Sequence, residues 1–139
     1  GYYCSRSFQE ALHVYTQVST MLQDRHYPVV PLMISNVYLH KSLQRITPNR
    51  QVQMLQSLAY LTQYQSQRVD EDEAEVHYNM GRWCDALGFN DRARRWYEKA
   101  LVARNVGSLV FEIHYNLALL YLRCGNRALA ASHMAQISI

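Results

Sequence analysis

Hydrophobic residues recur along this chain at three- and four-residue steps, the spacing that lines one face of an α-helix. Phe8, Leu12, Tyr15 and Val18 form the first such row and predict a helix ending near Leu22. Asp24 to Pro28 breaks it, because Pro28 and Pro31 bias the residues before them toward extended backbone. Leu32 to Leu43 predicts a second helix, with Pro31 tolerated in its first turn. Thr47-Pro48 reads as an N-cap followed by Pro at the first helical position. The third helix then runs through Val52, Leu55, Leu58 and Ala59 to about Gln67, with its Gln residues mostly on the wet face. Further on the punctuation sharpens. Ala74 to Leu87 is closed by Gly88, Asn90 or Asp91 opens a helix through Arg104, Leu109 to Cys124 is closed by Gly125, and Arg127 to Ile137 is the last. The short breaks between these helices require antiparallel neighbours.

Composition narrows the fold to all-α. The 139 residues hold only five Gly and three Pro, too few turn-formers for many short strands, and 49% hydrophobic against 18% charged residues predicts a packed core. Three Cys (Cys4, Cys84, Cys124), with no C-x-x-C pair, predict reduced structural thiols in a compartment such as cytosol or nucleus. The longest uncharged stretch, Gln51 to Gln67, carries six Gln, so no membrane span is expected. A net charge of +3 permits nucleic acid without demanding it. The chain starts at Gly1 without Met, and its first residues read as the middle of a helix pair, which predicts a fragment of something longer.

Glu75-Val76-His77-Tyr78-Asn79-Met80 returns as Glu112-Ile113-His114-Tyr115-Asn116-Leu117, an offset of 37 positions that persists to Gly88 and Gly125 and to Ala93 and Ala130. This is an internal repeat, the mark of stacked helix pairs. Met80-Gly81, Gly88, Ala93, Tyr97 and Ala100 resemble the tetratricopeptide family, and Leu117-Ala118, Tyr121, Gly125, Ala130 and Met134 fall at the same places. The resemblance implies a tetratricopeptide-like α-solenoid of antiparallel helix pairs across residues 1–139. Its parts are a half repeat at 1–23, a degenerate repeat at 29–68 matched by Ile34-Ser35 and Tyr38, a repeat at 72–105 and another at 109–139. His77 and His114 stand where the family usually has Trp or another large residue, and both are expected to pack rather than to bind metal.

Tyr78-Asn79-Met80-Gly81-Arg82, Leu87-Gly88, Trp96 to Leu101, Tyr115-Asn116-Leu117 and Gly125-Asn126 are also similar to the C-terminal part of the tetratricopeptide subunit of general transcription factor IIIC. Ser138-Ile139 resembles its natural end. This likeness implies a nuclear interaction scaffold in RNA polymerase III transcription initiation, whose partners are protein subunits of a transcription complex.

On this alignment the first helix of each repeat lines the concave surface. Glu75, Tyr78, Asn79, Arg82 and Asp85 belong to it in one repeat, and Glu112, Tyr115, Asn116, Leu119 and Arg123 in the next. Asn79 and Asn116 can hold an extended peptide through amide donors and acceptors, or bond locally to the backbone of a neighbouring repeat. Arg92, Arg94, Arg95 and Lys99 decorate the helix at 91–104 together with Trp96. That helix reads as a solvated face, or as a secondary contact for DNA phosphates. An unrelated tetratricopeptide adaptor for short peptides is the remaining alternative. Asp70 to Glu73 reads as the acidic start of a helix. No phosphate-gripping Gly loop, nucleophile elbow or His-Glu-x-x-His pattern occurs. The chain is therefore expected to have no enzymatic activity, cofactor, metal or small-molecule substrate.

Overall fold

The computed structural model describes residues 9–14, 16–17 and 27–137. Six helices are delimited in it: α1 (Val29–Ser42), α2 (Arg50–Arg68), α3 (Glu73–Ala86), α4 (Asn90–Leu101), α5 (Leu109–Arg123) and α6 (Arg127–Ala135). Residues 9–14 and 16–17 are helical as well, and no strand occurs among the described residues. The expected first helix falls partly outside them, as do Phe8, Tyr15, Val18 and Leu22 from its row. The helices pack in consecutive pairs, and the chain divides into two compact units, Gly1–Arg68 and Val69–Ile139.

In the first unit α1 and α2 meet at two serines. Ser35 Oγ donates to the Ser57 carbonyl at 2.7 Å, and Ser57 Oγ donates to the Ser35 carbonyl at 2.8 Å. Neither serine is exposed. A buried hydroxyl without a partner is costly, so each helix needs the other's backbone at this point. Ile34 on α1 and Leu61 and Tyr64 on α2 are buried with them.

Two expectations fail in this unit. Val52, Leu55 and Leu58 do not face the core: they are 51%, 62% and 37% exposed. The inner face of α2 is Ser57, Leu61 and Tyr64, the same spacing as Ala93, Tyr97 and Ala100. A polar but small residue sets the rotation of the helix, overriding the larger count of apolar residues on its other side. Nor does Thr47-Pro48 cap α2. Asn49 takes a left-handed φ of 54°, and its carbonyl accepts the first helical bond, from Gln53 N at 3.0 Å. The helix therefore starts beyond the proline.

The second unit contains the repeated pairs, α3 with α4 and α5 with α6. Their turns are alike. The Phe89 N–H bonds the Cys84 carbonyl at 2.9 Å across Gly88 at φ 80°, and the Asn126 N–H bonds the Tyr121 carbonyl at 2.8 Å across Gly125 at φ 81°. This is the Schellman arrangement, which needs a left-handed residue and so favours glycine. α4 ends at Leu101, short of the expected Arg104. Beyond it Asn105 turns back to the start of α3, where its Oδ1 accepts from Ala74 N at 3.3 Å and its Nδ2 donates to Asp72 Oδ1 at 3.0 Å. Asp72 is itself the N-cap, accepting from Glu75 N at 3.1 Å. One repeat thus closes its last residues onto its first.

His77 and His114 both pack against the second helix of their own repeat. The His77 ring lies 5.4 Å from Trp96, and His114 lies 5.2 Å from His133, the residue 37 positions after Trp96. His114 and His133 also share an Nδ1 to Nδ1 hydrogen bond of 2.9 Å, and Tyr121 stacks on His133.

At Gly81 an added Cβ would lie 2.6 Å from Tyr97 Cδ1, inside the packing distance of any real side chain, and Tyr97 is only 1% exposed. Gly81→Ala is therefore expected to lower stability by about 1–3 kcal/mol through overpacking, despite the helix propensity that alanine adds. Urea unfolding of Gly81→Ala, Tyr97→Leu and the double variant checks this: the losses should be far from additive, and simple additivity would deny the contact.

Burial, and then His133, holds the His114 imidazole below its ordinary value of 6.5. Burial also lowers His133, with Glu98 opposing. The neutral rings are thus favoured by folding, so their contribution is complete above pH 6.5 and is lost as pH falls through the lowered values. Thermal unfolding should shift to lower temperature between about pH 7 and pH 5, and His133→Phe should flatten that dependence. An unchanged slope would remove the pair from the acid response.

Candidate functional site

α3 and α5 are repeat-equivalent helices that touch in the second unit, and together they carry the candidate residues. Tyr78, on α3, is 8% exposed. Its hydroxyl accepts from Asn116 Nδ2 on α5 at 3.2 Å and bonds to the Glu112 carboxylate. Burial first, and then that bond to Glu112, raises the Tyr78 hydroxyl above the ordinary tyrosine range. Arg82 lies 6.0 Å over the Tyr78 ring.

One turn on, Asp85 is a second junction. Its Oδ2 accepts from the Tyr97 hydroxyl of α4 at 2.9 Å, and its Oδ1 pairs with Arg123 of α5. Arg123 also reaches Asn90 Oδ1 at 3.3 Å. Burial, followed by the charge of Asp85, holds the Tyr97 hydroxyl far above the usual range, so it stays a donor at any physiological pH. Asp85 thereby joins α3, α4 and α5.

The expected concave residues thus separate by what they touch. Tyr78, Asp85, Glu112, Asn116 and Arg123 are brought together in contacts between repeats. Glu75 and Asn79 are half-buried on α3 and Arg82 is exposed. Tyr115 and Leu119 are 49% and 40% exposed. Asn116 bonds a side chain of the neighbouring repeat, where the sequence reading offered its backbone.

Sequence reasoning missed Phe111, which is 48% exposed and one helical turn before Tyr115 on the same row. Phe111, Tyr115, Tyr78, Glu112, Asn116 and Ile137 line an open depression of about 320 Å³. Extending the Tyr115–Leu119 row by four residues toward the start of α5 would have found it.

Two of the four basic residues of α4 pair with its own acids. Arg94 pairs with Asp91 at 2.8 Å and Glu98 at 3.0 Å, and Arg95 pairs with Asp91 at 2.9 Å. The bond from Arg94 holds the Asp91 carboxyl below the ordinary carboxylate range. Lys99 sits 4.6 Å over Trp96, and Arg92 lies 6.0 Å over Phe89. Among the described residues no group of three or more His, Cys, Asp or Glu is gathered to hold a metal ion, and no helix is long and apolar enough to cross a membrane. Cys84 is buried, which raises its thiol, while Cys124 is exposed; Cys4 lies outside the described residues.

The Asn116 amide and Tyr78 hydroxyl form one neutral bond, for which about 1 kcal/mol is expected. Asn116→Ala should cost roughly that amount, and far less when introduced into Tyr78→Phe. A full loss in the second background, measured by urea unfolding, would mean the amide works elsewhere.

No protein-family model matches the chain. Three curated proteins are similar to it. The transcription factor tau 131 kDa subunit of Saccharomyces cerevisiae is 31% identical over 132 residues, covering 92% of this chain and 13% of that protein. Transcription factor tau subunit sfc4 of Schizosaccharomyces pombe is 29% identical over 145 residues, covering 91% and 14%. General transcription factor 3C polypeptide 3 of Homo sapiens is 29% identical over 137 residues, covering 92% and 15%. The chain therefore spans 13–15% of the length of these relatives. Through paired helices and a likeness covering 92% of its length, the chain is a distant homologue of the tetratricopeptide subunit of general transcription factor IIIC.

Proposed function

We propose that this chain is a protein-interaction module, the C-terminal tetratricopeptide array of a transcription factor IIIC subunit, and that it scaffolds nuclear assemblies for RNA polymerase III initiation. The observation that carries this reading is the row Phe111, Tyr115 and Leu119 on α5, three large apolar side chains that stay 40–49% exposed on a helix whose opposite face is packed. Such a row has no role in the core and marks a place for a partner. The homology supplies the setting, since the relatives are named as subunits of transcription factors. Direct DNA contact is the weaker reading, because Arg94 and Arg95 are already paired with Asp91 and Glu98.

The test is carried out in the full-length protein, expressed in cells. Tyr115→Asp with Leu119→Asp is expected to cut recovery of the other factor subunits about tenfold or more, an effect ordinary for exposed aromatic anchors. The helical circular dichroism signal and melting temperature should hold, because both side chains are exposed. Unchanged recovery would overturn the reading. So would duplex binding that is lost on charge removal at Arg92, Arg94, Arg95 and Lys99 while subunit recovery persists.

A further inference from the structure

The depression beside Tyr78 has a polar lining of one sign. Among the described residues its one charged lining group is Glu112, an exposed carboxylate. The Tyr78 hydroxyl is occupied on both sides, bonding Glu112 and accepting from Asn116. One N–H of the Asn116 amide is thus engaged, leaving its oxygen and a second N–H to offer. What remains for a ligand is the Glu112 carboxylate, the Asn116 amide and the Tyr115 hydroxyl, set among the apolar surfaces of Phe111, Tyr115 and Ile137. Two cations lie nearby, and the charge of Arg82 reaches the Tyr78 hydroxyl. Arg123 is paired with Asp85, and Arg82, over the Tyr78 ring, is not among the lining residues.

We infer that this depression takes an extended peptide of a partner protein in which one large apolar side chain is flanked by Arg or Lys. The inference rests on reading this face as a protein-binding surface, and it adds the chemistry of the occupant. About 320 Å³ is near the lower end of ligand-site volumes and fits a single anchoring side chain better than a whole helix. Charge complementarity selects the flanking residues: a guanidinium or ammonium gains the Glu112 carboxylate and the Asn116 carbonyl, whereas an acidic peptide meets the like charge of Glu112.

The overall charge sharpens the test, because a net +3 draws non-specific ligands of the opposite kind. Three fluorescein-labelled 13-residue peptides serve as probes. Each has a central Leu-Leu pair, flanked on both sides by Arg, by Ser or by Glu. Fluorescence anisotropy with the complete chain at low salt is expected to rank them Arg, Ser, Glu, with the first about tenfold or more tighter than the last. Glu112→Gln should shrink that ratio to about threefold or less, and Glu112→Lys should reverse it. Phe111→Ala should weaken every peptide that binds; the ring is 48% exposed, so the fold does not depend on it. Equal or tighter binding of the Glu peptide overturns the inference, and so does no binding by any of the three. Loss of charge preference with retained Phe111 dependence would sink the acidic specificity alone, leaving the scaffold reading to the subunit-recovery experiment.

Discussion

The closeness with which two helices of a pair can approach governs the rest of this structure. Between α3 and α4 the approach is set by Gly81, whose missing side chain is replaced by the Tyr97 ring. Between α1 and α2 it is set by Ser35 and Ser57, small enough to meet and polar enough to need each other's carbonyls. The two solutions differ in chemistry, yet each brings the helices of its pair together at a small residue. In both, one small residue decides which face of the second helix turns inward, and so which side chains are left for solvent or partners.

What is left outside follows from that choice. Burying Ser57, Leu61 and Tyr64 turns Val52, Leu55 and Leu58 outward on α2. Burying Ile113, Leu117 and Leu120 on α5 leaves Phe111, Tyr115 and Leu119 on the surface. An interaction surface here is thus the complement of the packing, and its residues are apolar because a helix can bury only one stripe at a time. The acids and amides beside that stripe are partly consumed in joining neighbouring repeats, and among the described lining residues Glu112 carries the charge.

The helices of the second unit were legible from periodicity, glycine punctuation and the 37-residue offset, because those signals are local and recur. The rotation of α2 was not, since the reading weighted hydrophobic residues and the deciding residue is a serine. Matching Ser57, Leu61 and Tyr64 against Ala93, Tyr97 and Ala100 would have found it. Of the site, the exposed pair Tyr115 and Leu119 was legible, whereas the bonds joining α3 to α5 were not. Yet Tyr78 to Asn116 and Asp85 to Arg123 each span 38 positions, one more than the repeat. Each residue reaches the one just past its own equivalent. Complementary side chains at the repeat length plus one are therefore a signal that a single sequence carries.

The Asp85 junction has a mechanical side. Within a pair, helices are held by buried contacts such as Gly81 against Tyr97, which are stiff and indifferent to salt. From the α3–α4 pair to α5, the Asp85–Arg123 link is half in solvent, with the arginine side chain 50% exposed, so ions screen it. Between α3 and α5 the neutral Tyr78–Asn116 bond is partly buried and is not screened in this way. Concentrated salt therefore weakens the Asp85–Arg123 link while the buried contacts within each pair are left as they are.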